Sequence, residues 1–491
     1  MKKIIVISVC LYSLFTLTEV NAQRYFLHHS GTLYSSFENP SEDIFVPNKS
    51  KQYAVSFLLG NLGFYLEQDG PAQDMLRQVL FENKNFSAND LPLLANQPFT
   101  TFFSSNQYLA MFKMCGGITS PFEYGFSWQI KSIGYGSVTN QMLKLLNDYT
   151  LLANQSNNTI KDNAIAAQSY HQLNFSIRQD LNPYVSVGAK IGLLSGIGYM
   201  NASLDALGLD INLQQQSIAY QANAQAKVAS AYPDLVADGS SLKTVNGSEQ
   251  KWSYFLPTFR NPGAAISFGC SLNNQNGLFA SFNVKDLGFI NWSTNSFVYT
   301  INQNGTATGT SQSTIIENIQ TKIKDDLQPK KQSFIAPTET LLDMSVSQKI
   351  GFYKPVLVVG KYLFNPYGFV AFTHNFNIYP IQLGLSTGWN TYGTTWTAYN
   401  MGAQLMYQTP NGEFYIGSEQ LFRMLEINSD AQQKISHQAV GGGSLGLDFY
   451  LGFSFKFGRV AEDWGISSYS NFENGFWNWL FGWKTHRRFL D

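Results

Sequence analysis

Apolar and polar residues alternate along most of this chain, and the clearest run spans residues 445–457. Leu and Phe occupy every odd position there, while Gly, Asp, Tyr, Ser and Lys share the even positions. Alternation with a period of two predicts a β-strand that has one apolar and one polar face. The run is long enough for a tilted membrane strand, which needs about 9–11 residues.

The same alternation recurs through the chain, with Gly-, Asn- and Pro-containing turns such as 365–368, 409–412 and 273–277 between the runs. The other candidate strands are 53–66, 107–118, 122–136, 170–179, 185–193, 252–259, 264–272, 278–285, 341–349, 355–363, 367–376, 381–385, 396–408 and 413–421. These runs predict about 13 to 17 strands, and we expect about 14 because single-chain bacterial barrels have an even number.

Three segments in the long connections have helical periodicity instead. They are residues 71–83, 140–152 and 314–327, and we expect them to decorate loops or to fold into a barrel lumen. The Gln- and Ala-rich stretch 211–250 has no assignable pattern.

Composition decides what the apolar strand faces meet. Charged residues make up only 13% of the chain and aromatic residues 15%, and the net charge is −1. An average domain has about 25% charged residues, so this chain has too few charged residues to cover the surface of a soluble protein. Because the chain has no net positive charge, its composition excludes nucleic acid as a partner. This composition is typical of an all-β, transmembrane antiparallel β-barrel with an apolar outside and a polar inside.

The N-terminus has the pattern of a secretory signal peptide. Lys2 and Lys3 precede an apolar stretch at 4–18, and small residues lead to a predicted cleavage between Ala22 and Gln23. We therefore divide the chain into a signal peptide (1–22), an outer-membrane barrel (23–459) and an aromatic, basic C-terminal tail (460–491). No later stretch is apolar enough for a transmembrane helix. The predicted location is the bacterial outer membrane, with membrane lipid as the first partner.

Two cysteines remain in the predicted mature chain, Cys115 and Cys270. They either form one disulfide or serve as two small apolar residues on strands.

Charged residues on the polar strand faces are the candidates for lining the lumen. They are Lys190, Asp343, Lys349, Lys361, Asp448 and Lys456, accompanied by Glu413 and Glu419. The signs are mixed, whereas a ring of one sign would indicate ion selectivity. Two interpretations stay open, namely ion pairs that fill the interior and a channel lining that selects a solute.

The C-terminal tail combines aromatic and basic residues. Trp477, Trp479 and Trp483 lie close to Lys484 and two arginines, a mixture that suits a membrane–water boundary. The tail is interpreted as an interfacial anchor, as a docking segment for a protein partner, or as a segment folded against the barrel's own end.

Signals for catalysis are weak. Residues 442–446 match the G-x-S-x-G pattern, but a strand follows at once, where a nucleophile elbow requires a helix. The six histidines form no recognised metal-binding spacing. We therefore expect a protein that is not an enzyme, with no catalytic, metal or cofactor residues.

The segment VKDLGFINW, 284–292, interrupts a strand with Asp286 and Gly288. Gly288 suggests a bulge that changes the direction of the strand. Asp286 marks the point at which the strand can carry a charge away from the lipid. Phe289, Ile290 and Trp292 would then lie at the membrane boundary, where amphipathic rings are favoured. The alternative is an ordinary strand end.

This segment, with SFENP (36–40), VGAKIGLLSGIGYMN (187–201) and GLDFYLGFSFKFGR (446–459), resembles an uncharacterised family of outer-membrane barrels. That family is a domain of unknown function common in Bacteroidota, and its fold is similar to long-chain fatty-acid transporter barrels. The family-like residues are Asp286, Gly288, Phe289 and Trp292. The resemblance implies an integral outer-membrane protein and a porter of hydrophobic solutes, whereas the tail after residue 459 departs from the family.

Three functions follow from these patterns. The first is a barrel that passes or binds a small or hydrophobic solute. The second is a non-catalytic structural or assembly subunit of an outer-membrane complex. The third is an exported, soluble β-rich protein, which would require charged outer strand faces.

Overall fold

Antiparallel hydrogen bonding joins the strands into one sheet that closes on itself. The computed structural model describes residues 27–44, 51–70, 98–115, 122–147, 159–212, 214, 217–232, 256–274, 276–308, 318, 329–393, 395–424 and 445–458. The predicted signal peptide and the tail that carries Trp477, Trp479 and Trp483 lie outside these residues.

The strands have the following bounds. They are β1 (Tyr53–Asp69), β2 (Phe99–Cys115), β3 (Phe122–Val138), β4 (Thr159–Ile160), β5 (Asn163–Asn182), β6 (Val185–Asn212), β7 (Ser217–Ser230), β8 (Pro262–Asn273), β9 (Leu278–Trp292), β10 (Ser296–Thr308), β11 (Lys330–Lys331), β12 (Phe334–Pro337), β13 (Leu341–Gln348), β14 (Tyr353–Tyr362), β15 (Tyr367–Ile378), β16 (Ile381–Tyr392), β17 (Thr395–Thr409), β18 (Gly412–Ser418) and β19 (Leu445–Phe457). The short helices include α1 (Leu33–Glu38) and α2 (Asn140–Asn147).

Fourteen of these strands form a closed barrel, as the alternation predicts. The wall runs in the order β1, β2, β3, β5, β6, β8, β9, β13 to β19, and β19 pairs with β1 to close it. The short strand β12 continues β13 along β9, with a break at residues 338–340. All wall pairs are antiparallel, so the connections alternate between two ends of the barrel.

The two ends differ in the length of their connections. Tight turns join β5 to β6, β8 to β9, β13 to β14, β15 to β16 and β17 to β18 at one end, here called the short-turn end. The opposite end, the long-loop end, has longer connections that link β1 to β2, β3 to β5 and β18 to β19. This asymmetry is the one found in outer-membrane barrels.

The outer face of the wall is apolar. Its large exposed side chains include Phe175, Ile191, Leu193, Phe268, Phe282, Leu357, Leu383, Leu405, Phe414 and Phe449. Rings flank this band, with Tyr184, Tyr379 and Tyr407 toward the short-turn end and Trp389, Trp396 and Tyr399 toward the long-loop end. The ten residue-to-residue steps from Tyr379 to Trp389 span about 33 Å of strand, or about 25 Å along the axis at the usual barrel tilt. That height matches the apolar band of a membrane barrel.

Strand β6 runs past the barrel rim at the long-loop end. Its distal half pairs with β7, and β7 pairs with β10, so that residues 198–212, 217–230 and 296–308 form a three-stranded unit, here called the blade. The other edge of β6 stays paired with β5 as far as Leu204 and with β4 at residues 207–208. Helix α2 packs Met142 and Leu145 against one face of the blade, over Ile218 and Tyr220. This apolar face explains why the blade is stable outside the barrel wall.

Several sequence-based assignments can be compared with these elements. A helix was expected over 140–152 and is present at Asn140–Asn147, whereas the expected helices at 71–83 and 314–327 lie outside the described residues or nearly so. No strand includes residues 256–259, the described part of the expected 252–259 strand. The sequence analysis missed β7 and β10, because their Gln, Asn and Ala residues carry no apolar alternation.

Cys115 and Cys270 are not joined by a disulfide, which leaves the interpretation as small strand residues. Within the described residues, no helix combines the length and the hydropathy needed to cross a membrane.

Candidate functional site in the barrel lumen

A segment of the N-terminal region fills the lumen from the short-turn end. Residues 27–44, here called the plug, enter beside the turns, form α1 inside the barrel and return to the same end before β1. Leu33, Tyr34 and Phe37 are buried against inward side chains of the wall, including Tyr108 and Tyr415. The interior is therefore closed by a part of the same chain that is not a strand of the wall.

Helix α1 is short, but both of its ends are satisfied. Thr32 caps the first turn by accepting a hydrogen bond from the Ser35 amide at 3.1 Å. The Leu33 amide donates to Oε1 of Glu413 on β18 at 2.7 Å. A carboxylate at this position also complements the positive end of the helix dipole.

Wall side chains occupy the other end of α1. Lys113 Nζ donates to the Ser36 carbonyl at 3.2 Å, and Lys190 Nζ donates to the Phe37 carbonyl at 3.0 Å. Asn283 Nδ2 donates to the Glu38 carbonyl at 2.8 Å. The last carbonyls of a helix have no partners within it, so these three wall residues stabilise the helix by satisfying them.

The irregular parts of the plug are held in the same way. Lys354 donates to the His29 carbonyl at 2.6 Å, and Arg178 donates to the Ser41 carbonyl at 2.9 Å. Lys456 reaches both legs of the plug, donating to the carbonyls of Gly31 at 3.2 Å and of Ile44 at 2.6 Å. Buried carbonyls outside regular structure need such donors. The plug is thus attached to the wall by hydrogen bonds that water can replace.

Glycines on the wall make room for the plug. A Cβ at Gly125 would lie 3.0 Å from the ring of Phe37, and one at Gly188 would collide with the Pro40 carbonyl. A Cβ at Gly269 would collide with the Asn39 side chain. These inward glycines therefore allow the plug backbone to approach the strands closely.

Glu38 lies at the end of α1 and meets the wall through its carboxylate. It accepts hydrogen bonds from Asn106 Nδ2 and the Tyr108 hydroxyl, both at 2.8 Å, and lies 3.5 Å from Lys285 Nζ. Burial raises the pKa of Glu38, but the ammonium groups of Lys285, Lys190 and Lys131 outweigh burial, so the pKa is lowered overall. Glu38 is therefore held as a carboxylate.

The interruption in β9 is a β-bulge centred on Asp286. The register with β8 shifts between Ile266 and Phe268, and Asp286 has a φ of 53°. Its carboxylate points into the lumen, where it lies 2.6 Å from Lys131 Nζ and 3.3 Å from Lys190 Nζ. Its backbone carbonyl accepts hydrogen bonds from Thr338 and Thr340 at the break between β12 and β13. The bulge thus places one carboxylate between two buried lysines.

The expectation for the rest of this segment is only partly met. Phe289 faces outward and is half exposed, but Ile290 and Trp292 are fully buried inside the barrel. The prediction that Trp292 lies at the membrane boundary is wrong, because the extra residue at the bulge reverses which side chains face inward. Gly288 is not the bulged residue, but a Cβ there would collide with the Ala264 carbonyl on β8.

The predicted lumen residues divide into three groups. Lys190, Asp343, Asp448 and Lys456 are buried on the inner face, where Asp343 lies 3.2 Å from Lys285 and Lys456 lies 3.1 Å from Glu413. Lys349 is exposed at the rim of the short-turn end. Lys361 is exposed on the outer side of β14, and its prediction as a lumen residue is wrong. Its Nζ bends back to the Pro366 carbonyl at 2.6 Å.

Sequence reasoning missed several residues of this site. They are Glu38 on the plug and, on the wall, Lys113, Lys131, Arg178, Lys285 and Lys354. The signal was present for Lys285, whose alternation with Asn283 and Ser281 marks the polar face of β9.

A cavity of about 990 Å³ lies at the short-turn end, between the plug and the turns. It is lined by plug residues such as His29 and Glu42 and by wall residues such as Arg178, Lys349 and Lys354. Burial raises the pKa of Glu42 to about 7, although the His29 amide donates to its carboxylate. Burial and the nearby Lys354 lower the pKa of His29 well below its usual value.

Aromatic side chains fill the lumen beyond the bulge, toward the long-loop end. Phe102 packs against Tyr367 and Tyr362 at ring-centroid distances of 4.3 Å and 5.6 Å. A second cluster brings Tyr199 within 5.2 Å of Phe334 and 5.4 Å of Trp292. The two halves of the lumen are therefore filled differently. A separate segment fills the first half and is held by hydrogen bonds, ion pairs and apolar contacts, whereas side chains of the wall itself fill the second half.

The model of one protein family, described as a family of unknown function (DUF5723), matches residues 46–419. The chain belongs to this family. The matched region includes the bulge and the lysines around it but begins after the plug. No curated protein sequence matches this family member.

The comparison with solved structures gives matches of low sequence identity. A FadL homologue of Pseudomonas aeruginosa has a TM-score of 0.44 and 10% identity, with coverage of 87% of this chain and 95% of the other. The toluene transporter TbuX of Ralstonia pickettii scores 0.40 at 7% identity and covers 87% and 94%. The toluene transporter TodX of P. putida scores 0.40 at 6% identity and covers 90% and 96%. At scores this low, what those proteins transport says nothing about this chain.

Proposed function

We propose that this protein is an integral outer-membrane β-barrel that passes or binds small hydrophobic solutes, and that the plug closes it. The apolar outer band, flanked by aromatic residues, supports the membrane location, because a soluble protein would expose charged side chains there. The short-turn end would then face the periplasm, as in other outer-membrane barrels.

The proposal that the solute is hydrophobic rests on the aromatic half of the lumen. Rings such as Tyr65, Phe102 and Tyr367 fill the lumen there, so a solute entering from the long-loop end must move these side chains and contacts them before it reaches the plug. Pockets for apolar ligands are lined mainly by such side chains, with a few polar groups that set orientation. Continuing to the other end then requires displacement of the plug, because residues 27–44 occupy the interior there.

The location is tested by fractionating membranes and comparing the electrophoretic mobility of boiled and unboiled protein. A closed barrel in the outer-membrane fraction migrates differently before and after heating. A protein released by osmotic shock with no heat-dependent shift would contradict the proposal and favour an exported soluble β-rich protein.

Passage is tested in proteoliposomes by uptake of a small aromatic solute that carries a charged group, because an uncharged hydrocarbon crosses the lipid bilayer without a protein. We compare the full-length protein with a variant lacking residues 30–42, which removes most of the plug while the wall strands stay intact. Faster uptake through the deletion variant than through empty vesicles is expected. Equal uptake by the deletion variant and protein-free vesicles would contradict passage.

One observation favours the second candidate, a non-catalytic structural or assembly subunit. The plug is buried and bound at many points, as in a barrel that stays closed. Cross-linking in intact membranes distinguishes the two candidates, because an assembly subunit gives a stoichiometric protein partner. The C-terminal tail, with Trp477, Trp479 and Trp483, is the proposed contact, and removing residues 460–491 would then abolish the cross-link.

A further inference from the structure

The blade carries an exposed face made almost entirely of side-chain amides and hydroxyls. Six of its residues define this amide face and are exposed: Gln221, Asn223, Gln225, Thr300, Asn302 and Asn304. The face continues the lumen-facing side of the wall, because Ala229 on the same side of β7 packs with Trp292 inside the barrel. The amide face therefore leads from outside the barrel down to the aromatic half of the lumen.

The strand register arranges these six side chains as a regular grid. Gln221 pairs with Asn304, Asn223 with Asn302, and Gln225 with Thr300. Neighbours lie about 5 Å apart across the strands and about 7 Å apart along them. The next strand, β6, contributes Gly208, Ala206 and Ser203 to these rows, which leaves a shallow step beside the grid. Asp205, at the bulge of β6, accepts a hydrogen bond from the Ser203 hydroxyl at 3.3 Å beside this step.

The composition of this face is not explained by folding. The opposite face of the blade holds the apolar contacts, with Ile218, Tyr220 and Ala222 under α2. Asn is depleted in strands because it fits a pleated sheet poorly. Exposed sheet faces usually carry Lys and Glu for solubility, and none of the six residues is charged.

The chemistry of the grid selects one class of partner. Each amide donates and accepts hydrogen bonds at the same time, as sugar hydroxyls also do. Nucleic acids and anionic headgroups require cations, which the grid does not contain. A folded protein partner would be met by apolar and aromatic anchors, which the grid does not offer either.

Aromatic rings lie at the foot of the grid. Tyr199 and Phe334 are partly exposed there, with ring centroids 5.2 Å apart, and Lys227 Nζ lies 6.0 Å above the Phe334 ring. The C–H face of a sugar ring stacks on such side chains. We propose that the amide face binds a neutral polysaccharide chain, which runs along β7 and β10 and ends on Tyr199 and Phe334. This binding is independent of whether solutes pass through the barrel.

The test measures binding of the full-length protein in detergent micelles to sensor surfaces that carry dextran, mannan or laminarin. We expect saturable binding to at least one of these neutral polysaccharides. The double variant Asn223→Ala/Asn302→Ala removes the central pair of amides and should weaken the apparent Kd about tenfold or more. Unchanged heat-dependent mobility verifies that the barrel is intact.

The matched control is Asn276→Ala/Asn411→Ala, which removes two exposed amides at the short-turn end. It should bind as the unchanged protein does. Three results would overturn the proposal: no binding to any of the three polysaccharides, equal loss of binding in both double variants, or an amide-face variant that changes only the oligomeric state in light scattering. The last result would indicate a second copy of the chain as the occupant.

Discussion

The two halves of the lumen on either side of the Asp286 bulge are filled by different parts of the chain. On the short-turn side, the plug is held by donors such as Lys354 and Lys456, which satisfy its backbone carbonyls. On the long-loop side, rings contributed by the wall itself, such as Phe102 and Tyr367, fill the space. Hydrogen bonds to a separate segment can be exchanged for water, whereas rings fixed on strands remain. In the proposed function, the first half opens and the second half provides the contacts for a solute.

The largest effect is expected from a substitution at the Asp286 bulge, which separates the two halves of the lumen. Asp286→Ala leaves the ammonium groups of Lys131 and Lys190 buried without their carboxylate. We expect a loss of about 3–5 kcal/mol in the free energy of unfolding. The measurement is urea unfolding in detergent micelles, followed by the loss of unboiled mobility. Asp205→Ala, at an exposed position on the blade, is the control and should change little.

The next prediction affects the aromatic half alone. Phe102→Ala removes a ring that packs against Tyr362 and Tyr367, and it should cost about 3–5 kcal/mol of unfolding free energy or somewhat less. Phe103→Ala, one residue along on the outer side of β2, is the matched control with a smaller loss. If the plug becomes as accessible in Phe102→Ala as in a plug variant, the two halves are not independent.

A substitution in the plug tests the short-turn half of the lumen separately. Glu38→Gln keeps the shape of the side chain but removes its charge beside Lys285, and it should weaken plug seating by about 1.5–3 kcal/mol. The readout is maleimide labelling of Ser36→Cys in a protein that carries Cys115→Ser and Cys270→Ser. Labelling should accelerate about tenfold or more. If the labelling rate stays unchanged while the barrel becomes less stable, Glu38 stabilises the wall and does not hold the plug in place.

The smallest effect is a pH dependence of plug seating. The pKa of Glu42 is about 7 in the folded protein, above its usual 4.5, so the seated plug binds this proton more tightly than the free segment. Its contribution is fully present below pH 4.5 and is lost as the pH rises through 7, by about 1–3 kcal/mol. The labelling rate of Ser36→Cys, divided by the thiolate fraction at each pH, should therefore increase between pH 5 and pH 8.

Glu42→Gln should flatten that part of the profile. His29 titrates in the opposite sense, because its lowered pKa costs plug stability as the pH falls below 6.5. Both proteins contain His29, so the difference between their profiles isolates Glu42. Parallel profiles would exclude Glu42 as the titrating group.

The strand alternation predicts the orientation of a strand well where one of its faces is apolar and the other is polar. β19 agrees with the predicted bounds at both ends, and its Asp448 and Lys456 lie inside as expected. Lys361 shows where the pattern fails, because β14 has valines on its inner face and apolar residues on its outer face as well. A strand that is apolar on both sides does not reveal which of its faces meets the lumen.

Trp292 shows a second cause of failure. Up to Lys285 the faces of β9 are those that the alternation predicts, but one extra residue at Asp286 exchanges inside and outside for the remainder of the strand. A bulge depends on what the partner strands offer, here the hydroxyls of Thr338 and Thr340 and the lysines of β3 and β6.

By itself, the sequence determined the all-β class, an approximate strand number and the apolar outer band, because a period of two is a local property of each strand. Only the tertiary structure decided that residues 27–44 enter the lumen and that lysines from separate strands meet there. Those contacts join residues as far apart as His29 and Lys354. Their partners are backbone carbonyls, which every residue possesses, so no side-chain pattern along the chain marks them in advance.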